Sequence, residues 1–149
     1  MRAEVDHAGH ATTPRGFVAG AAYAGVKTYG EGKLDVGILA SQLPCTVAAT
    51  YTRNVLHAAS VDINRAKLGA AAARAVVVNA GVANASTGQR GIADGLRMTE
   101  LVAEKLGLDA SEVLVCSTGV IGHYLPMDKL SAGIAAIRLD GNGGEPVSR

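Results

Sequence analysis

The chain has 149 residues, the size of one ordinary domain, and 48% of them are apolar, enough to build a core. A net charge of +1 gives no electrostatic reason to expect nucleic acid or an acidic membrane surface. One Phe, four Tyr and no Trp are too few for the stacked aromatic platform of a single-strand nucleic-acid binder. No apolar stretch is long enough to span a bilayer, and the first six residues lack the apolar run of a signal peptide. A soluble cytoplasmic protein is expected. Cys45 and Cys116 sit far apart in apolar runs and read as two buried, reduced thiols. His7, His10, His57 and His123 have no neighbouring Cys, so no metal site is expected.

Residues 1–12 form a polar leader, expected to be flexible. Thr13-Pro14-Arg15-Gly16-Phe17 reads as a turn into an Ala/Gly-rich strand, Val18 to Val26. Leu34 to Ala40 reads as a second strand, with Thr46 to Thr52 as its antiparallel neighbour across a Gln42-Leu43-Pro44 turn. Val61 to Ala73 reads as strand then helix, with Asp62, Arg65 and Lys67 on a solvated face. Ala75 to Asn79 is the clearest strand, continuously apolar and so expected to be covered on both faces.

A helix follows from about Gln89 to Leu106, with Ile92, Leu96, Thr99, Ala103 and Leu106 at three-to-four spacing and Gly107 as its stop. Asp109-Ala110-Ser111-Glu112 has capping-box spacing. Val113 to Cys116 is another apolar strand. A last helix from Pro126 would bury Met127, Leu130, Ile134 and Ile137. The glycine-rich tail, 140–149, reads as a flexible linker. Mixed strands and helices of this kind predict a layered α/β domain.

Two apolar strands run into glycine-rich polar segments: Asn79 to Gly88, and Ser117-Thr118-Gly119-Val120-Ile121-Gly122. Backbone N–H groups in such segments can bind developing negative charge. They are equally readable as plain strand-to-helix turns, with Ser86 and Thr87 as helix caps. Neither carries the Gly-Lys-Ser/Thr of a P-loop, a Gly-x-Gly-x-x-Gly or a Gly-x-Ser-x-Gly elbow. The hydroxyls are therefore better donors than nucleophiles. Asn79 and Asn84 read as braces of their loop rather than substrate contacts. Arg53 and Asn54 read as structural residues at a strand end. Tyr124 reads as packing and His123 as a loop histidine rather than a general base.

Thr13 to Phe17, Tyr51-Thr52-Arg53-Asn54, Val77-Val78-Asn79-Ala80-Gly81 with Ala83-Asn84-Ala85, Thr87-Gly88, Ser117 to Gly122 and Leu125-Pro126-Met127 form an ordered set along nearly the whole chain. The set resembles the glutamate N-acetyltransferase/ornithine acetyltransferase family of arginine biosynthesis. The resemblance implies a layered α/β sandwich of the self-processing, N-terminal-threonine type, with residues 1–149 as part of its α chain. It implies acetyl transfer from N-acetylornithine to glutamate through an acetyl-threonine, without a cofactor; some members also accept acetyl-CoA. The nucleophilic threonine would head a downstream β chain, in a heterotetramer of two α and two β chains. By the same resemblance the Thr118 hydroxyl and the Gly119 N–H form the oxyanion hole.

The family cuts itself between Ala and Thr followed by Met-Leu. Ala11-Thr12 and Ala49-Thr50 lack that sequel, so the junction is expected beyond Arg149. The sequence departs from the family at Val82, usually asparagine, and at Ala80, Ser86 and Ser60. Two further readings stay open: a related self-processing hydrolase or aminopeptidase, and a non-catalytic fragment.

Overall fold

A computed structural model describes residues 9–27, 32–68, 72–141, 143–144 and 147. Most of the leader and part of the tail thus lie outside the described residues. Four strands form one sheet in the order β1-β2-β3-β4: β1 is Phe17–Ala22, β2 Val36–Cys45, β3 Ala73–Val82 and β4 Val113–Val120. β1, β2 and β3 pair antiparallel, whereas β3 and β4 run parallel. Helix α1 (Ala59–Leu68) precedes β3. The long α2 (Gly88–Leu106) provides the crossover that a parallel pair needs, and α3 (Met127–Ala136) closes the order.

Alternation places Val36, Ile38 and Ala40 of β2, Ala75 and Val77 of β3, and Val113 and Val115 of β4 on one face. Ile63 of α1, Met98 and Val102 of α2, and Leu130 and Ile134 of α3 complete this single core. The other face carries Leu39, Val76 and Val78, which are only half-buried, and the exposed Cys116. The expectation that the 75–79 strand is covered on both faces therefore fails among the described residues.

Several other expectations are corrected. β1 stops at Ala22, because the backbone from Ala24 to Lys27 turns to donate to the Asp35 carboxylate. β2 runs straight through the expected Gln42-Leu43-Pro44 turn, with its pairing to β3 interrupted between Ala40 and Cys45, an irregularity that tolerates proline. Residues 46–52 form no strand; the neighbours of β2 are β1 and β3. The Val61–Ala73 run opens inside α1 and not on a strand, and it ends where β3 begins. Cys45 is half-buried rather than core, and both thiols are free.

In α2 the buried stripe is Gly91, Gly95, Met98, Val102 and, beside it, Thr99 and Ala103, so the helix is rotated from the Ile92/Leu96 stripe and Leu96 is exposed. Glycine explains the rotation. A methyl on Gly91 would overlap Thr87 Oγ1, and one on Gly95 would lie 2.6 Å from Ile63 Cδ1, so only hydrogen permits this approach. Gly107 ends the helix in the left-handed region, as expected. The Asp109/Glu112 capping box also forms, on a single turn at Ala110–Glu112. Past α3, Asp140 exchanges backbone hydrogen bonds with Ala19 of β1.

α1 guards the outer edge of β4. Asn64 Nδ2 donates to Val115 O at 2.8 Å and Asn64 Oδ1 accepts from Val115 N–H at 3.0 Å, as a neighbouring strand would. Lys67, expected on the solvated face, instead donates to Val113 O, Ala110 O and Thr99 Oγ1, and its burial lowers its pKa. Asn64→Ala leaves two groups of the fully buried Val115 unpaired. It should cost about 2–3 kcal/mol in a urea melt, and a loss below about 0.5 kcal/mol would show that this edge needs no guard.

Candidate functional site

The site lies at the carboxyl ends of β3 and β4, where open α/β sheets commonly bind ligands. The parallel ladder runs further than the apolar pattern suggests, pairing Asn79 with Ser117, Ala80 with Thr118, Gly81 with Gly119 and Val82 with Val120. Most of each expected loop is therefore strand. Gly81 and Gly119 face each other in register with φ of +120° and +133°, values that L side chains rarely adopt. A methyl on Gly119 would overlap the Gly81 carbonyl group. One on Gly81 would meet Val26 Cγ1 at 3.0 Å and Lys27 N at 3.1 Å. Three stretches of chain thus stack closely, Gly119 on the Gly81 backbone and Gly81 on Val26 and the Lys27 backbone.

A pocket of about 530 Å³ opens on this stack, with Lys27, Ala80, Val82, Thr118, Gly119 and His123 in its walls. Thr118 and Gly119, the consecutive residues expected to form an oxyanion hole, both line it, and Thr118 is exposed. Val82 lies in the wall as well, so the change from asparagine puts an apolar side chain there. Ser117 does not line this pocket. Its hydroxyl is buried without a partner among the described residues, in a separate groove with Tyr51. Cys116 faces outward on the half-covered face of the sheet, not the core, and the surrounding protein raises its thiol pKa through partial desolvation.

Both asparagines brace the segment. Asn79, fully buried, donates to Val82 O at 2.9 Å. Asn84 adopts φ +51° and donates to Gly91 O, while Thr87 Oγ1 donates to Asn84 Oδ1 at 2.8 Å. Thr87 stands at the helix N-cap but makes no side-chain cap bond, so the capping role expected of it is replaced by this brace. Ala83 N–H to Val120 O and Gly122 N–H to Ala85 O then tie the two segments to each other.

His123 and Tyr124 are exposed, and Arg90 lies over the Tyr124 ring at 4.1 Å. Arg53 and Asn54 sit in irregular chain, not at a strand end. Asn54 O and Asp62 hold the His57 ring at 3.0 and 2.7 Å and raise its pKa, the backbone contact first. This His–Asp pair lines a different pocket, beside the start of α2. No cluster of metal-ligating side chains occurs among the described residues.

Sequence reading missed the Ala24–Lys27 wall. Asp35, 3% exposed, accepts from the N–H groups of Ala24, Val26 and Lys27 at 2.6, 2.7 and 3.0 Å. Its own carbonyl accepts from Ala80 N–H at 2.8 Å, so one residue joins this wall to β3. A buried carboxylate before an apolar run was the available signal.

The stack makes a direct prediction. Gly88, at φ +58° with open space around it, should lose about 1–2 kcal/mol on replacement by Ala. Gly119→Ala must displace β3 as well, so its loss in a parallel melt should be clearly larger. Equal losses would rule out the backbone contact.

The chain is similar to known proteins of one family. The ArgJ family profile matches residues 18–143. The arginine biosynthesis bifunctional protein ArgJ of Dehalococcoides mccartyi is 45% identical over 141 residues, covering 95% of this chain and 35% of that protein. That of Thermus thermophilus is 48% identical over 127 residues, covering 85% and 33%. The chain therefore spans about a third of the length of these relatives. The crystal structure of ArgJ from Bacillus halodurans superposes with a TM-score of 0.85 at 35% identity, covering 91% of this chain and 71% of that one. Ornithine acetyltransferase from Mycobacterium tuberculosis, complexed with ornithine, gives 0.87 at 41% identity, covering 94% and 77%. A mixed α/β chain with this ladder, this glycine pair and these relatives belongs to the ArgJ family.

Proposed function

We propose that this chain supplies the oxyanion hole of an acetyltransferase that moves acetyl from N-acetylornithine to glutamate. The observation that carries the reading is the placement of Thr118 and Gly119 side by side in the wall of a pocket large enough for an amino-acid substrate. The threonine nucleophile stands at the head of a downstream chain. Its α-amine, with an ordinary pKa near 8, accepts the threonine proton without a histidine.

The threonine Oγ attacks the acetyl carbonyl carbon, and the carbonyl electron pair moves onto oxygen. The Thr118 hydroxyl and the Gly119 N–H donate to that oxyanion; donors so placed are worth about 2.7–4 kcal/mol each. Collapse breaks the C–N bond, and ornithine leaves with the proton held by the terminal amine. The glutamate amine then attacks the acetyl ester through a second oxyanion in the same hole. Threonine departs with its proton restored. No step calls for a cofactor. Acetyl-CoA would enter as an alternative donor at the first step.

Two observations support a partner chain. The outer face of the sheet leaves Leu39, Val76 and Val78 half-covered, and Val120, Ile121 and Tyr124 stand exposed beside the site. In addition, the solved family chains are about half as long as the curated relatives, as the coverages of 77% and 35% imply. An α/β assembly, two of each in a heterotetramer, accounts for both. No described helix is long and apolar enough to cross a membrane, in keeping with a cytoplasmic biosynthetic role.

In the complete enzyme, Thr118→Ala should lower kcat for acetyl transfer by about 10²–10³ while leaving the melting temperature nearly unchanged. Transfer at the wild-type rate would remove Thr118 from the hole. Release of free acetate in place of acetylglutamate by the unaltered enzyme would favour a hydrolase. Mass spectrometry of the native complex should find a second chain beginning with threonine.

A further inference from the structure

We propose that the stack of Arg90 on Tyr124 positions the His123 wall of the substrate pocket, an assignment that rests on the acetyl-transfer reading. Arg90 Cζ lies 4.1 Å from the Tyr124 ring centroid, well inside the roughly 6 Å reach of a cation–π contact. His123, next to Tyr124 in sequence, lines the 530 Å³ pocket together with Thr118 and Gly119. The stack therefore ties the rim of that pocket to the first turn of α2.

Arg90 stands where helix electrostatics disfavour it. It is the third residue of α2, whose first turn carries no acidic residue, so the guanidinium meets the positive end of the helix dipole. Two contacts offset that repulsion. The negative face of the Tyr124 ring is one. Asp94, one turn further on, is the other: its Oδ2 lies 3.7 Å from Arg90 Nε, is buried and has no hydrogen bond among the described residues. Asp94 thus holds the guanidinium from the helix while the ring takes its face.

The rim beyond β4 is anchored on either side of the stack. Gly122 N–H donates to Ala85 O, and Leu125 is buried. Between them His123 and Tyr124 are exposed. Among the described residues, the stack is the one hydrogen-bond, ion-pair or ring contact of their side chains. Thr118 and Gly119 are insulated from the rim, because Ala83 N–H donates to Val120 O in between. Loss of the stack should therefore loosen substrate binding and spare the hole. Both stacked residues are more than half exposed, so their contact adds little to global stability. Arg90 and Tyr124 act through His123 and are positioning residues.

The test uses the assembled full-length enzyme. Tyr124→Leu should raise KM for N-acetylornithine and for glutamate about three- to tenfold, with kcat within about twofold and Tm nearly unchanged. Tyr124→Phe should keep the wild-type KM, since the guanidinium needs the ring face and not the hydroxyl. Arg90→Met, a change on an exposed helix surface, should match Tyr124→Leu, and the double variant should be no worse than either. Unchanged KM in Tyr124→Leu and Arg90→Met overturns the assignment alone, as do additive losses or a fall in kcat at constant KM. An effect of Tyr124→Leu that Arg90→Met does not reproduce also overturns it, and points to a contact of Tyr124 with the partner chain. A wild-type enzyme that transfers no acetyl to glutamate overturns the acetyl-transfer reading, and this assignment with it.

Discussion

Backbone packed against backbone is the constraint on which this site depends. Where the 26–27 segment, Gly81 and Gly119 stack, Gly119 approaches Gly81 more closely than a Cβ atom allows, and a Cβ on Gly81 would be tight against Val26 and Lys27. The two glycines share a register position and both take positive φ, which twists the peptide planes of neighbouring strands together. Hydrogen bonding alone would continue a flat ladder to Val82 and Val120. The twist instead lets the strand ends present backbone to a pocket while they remain paired, so Thr118 stands on a rigid element and not on a free loop.

That stack is held from behind by buried polar groups. Asp35 accepts from three N–H groups with its carboxylate and from Ala80 N–H with its carbonyl. Asn79 and Asn84 bind the backbones of Val82 and Gly91, and Thr87 completes the chain of bonds to α2. Leaving any of these buried groups unpaired carries a desolvation cost of about 1–3 kcal/mol. The expense of disturbing the frame is what makes its geometry reproducible from molecule to molecule.

The sequence made the framework legible where one kind of signal was strong. The apolar runs at Ala75–Asn79 and Val113–Cys116, the stop at Gly107, the Asp109 capping box and the start of α3 at Pro126 all stand in the structure. Thr118 and Gly119 were singled out as a pair only through the ordered family motifs, since their own residue types fit any turn. Strand ends were not legible. Ser117 to Val120 is too polar and glycine-rich to read as strand, yet it pairs because β3 already offers a partner edge. The face of α2 was read in part: Thr99 and Ala103 are buried as expected, but Gly91 and Gly95 were passed over because glycine scores as a weak apolar residue, although here its smallness buries it. The Ala24–Lys27 wall escaped because the Asp35 carboxylate holds it by backbone N–H groups, which any residue type at 24, 26 or 27 would offer.

Strand alternation links the incomplete face of the sheet to the chemistry. Thr118 follows Leu114 and Cys116 on the face that carries Val76 and Val78, opposite the helices. A layer laid over that face to cover the half-buried apolar residues necessarily approaches Thr118 as well. On the proposed reading, the surface that drives the two chains together also delivers the threonine to its oxyanion hole. Burial of the apolar face supplies the binding energy, and the ladder supplies the alignment. A hole built on the strand end itself, and braced from the helix side, needs no further rearrangement once that layer is in place.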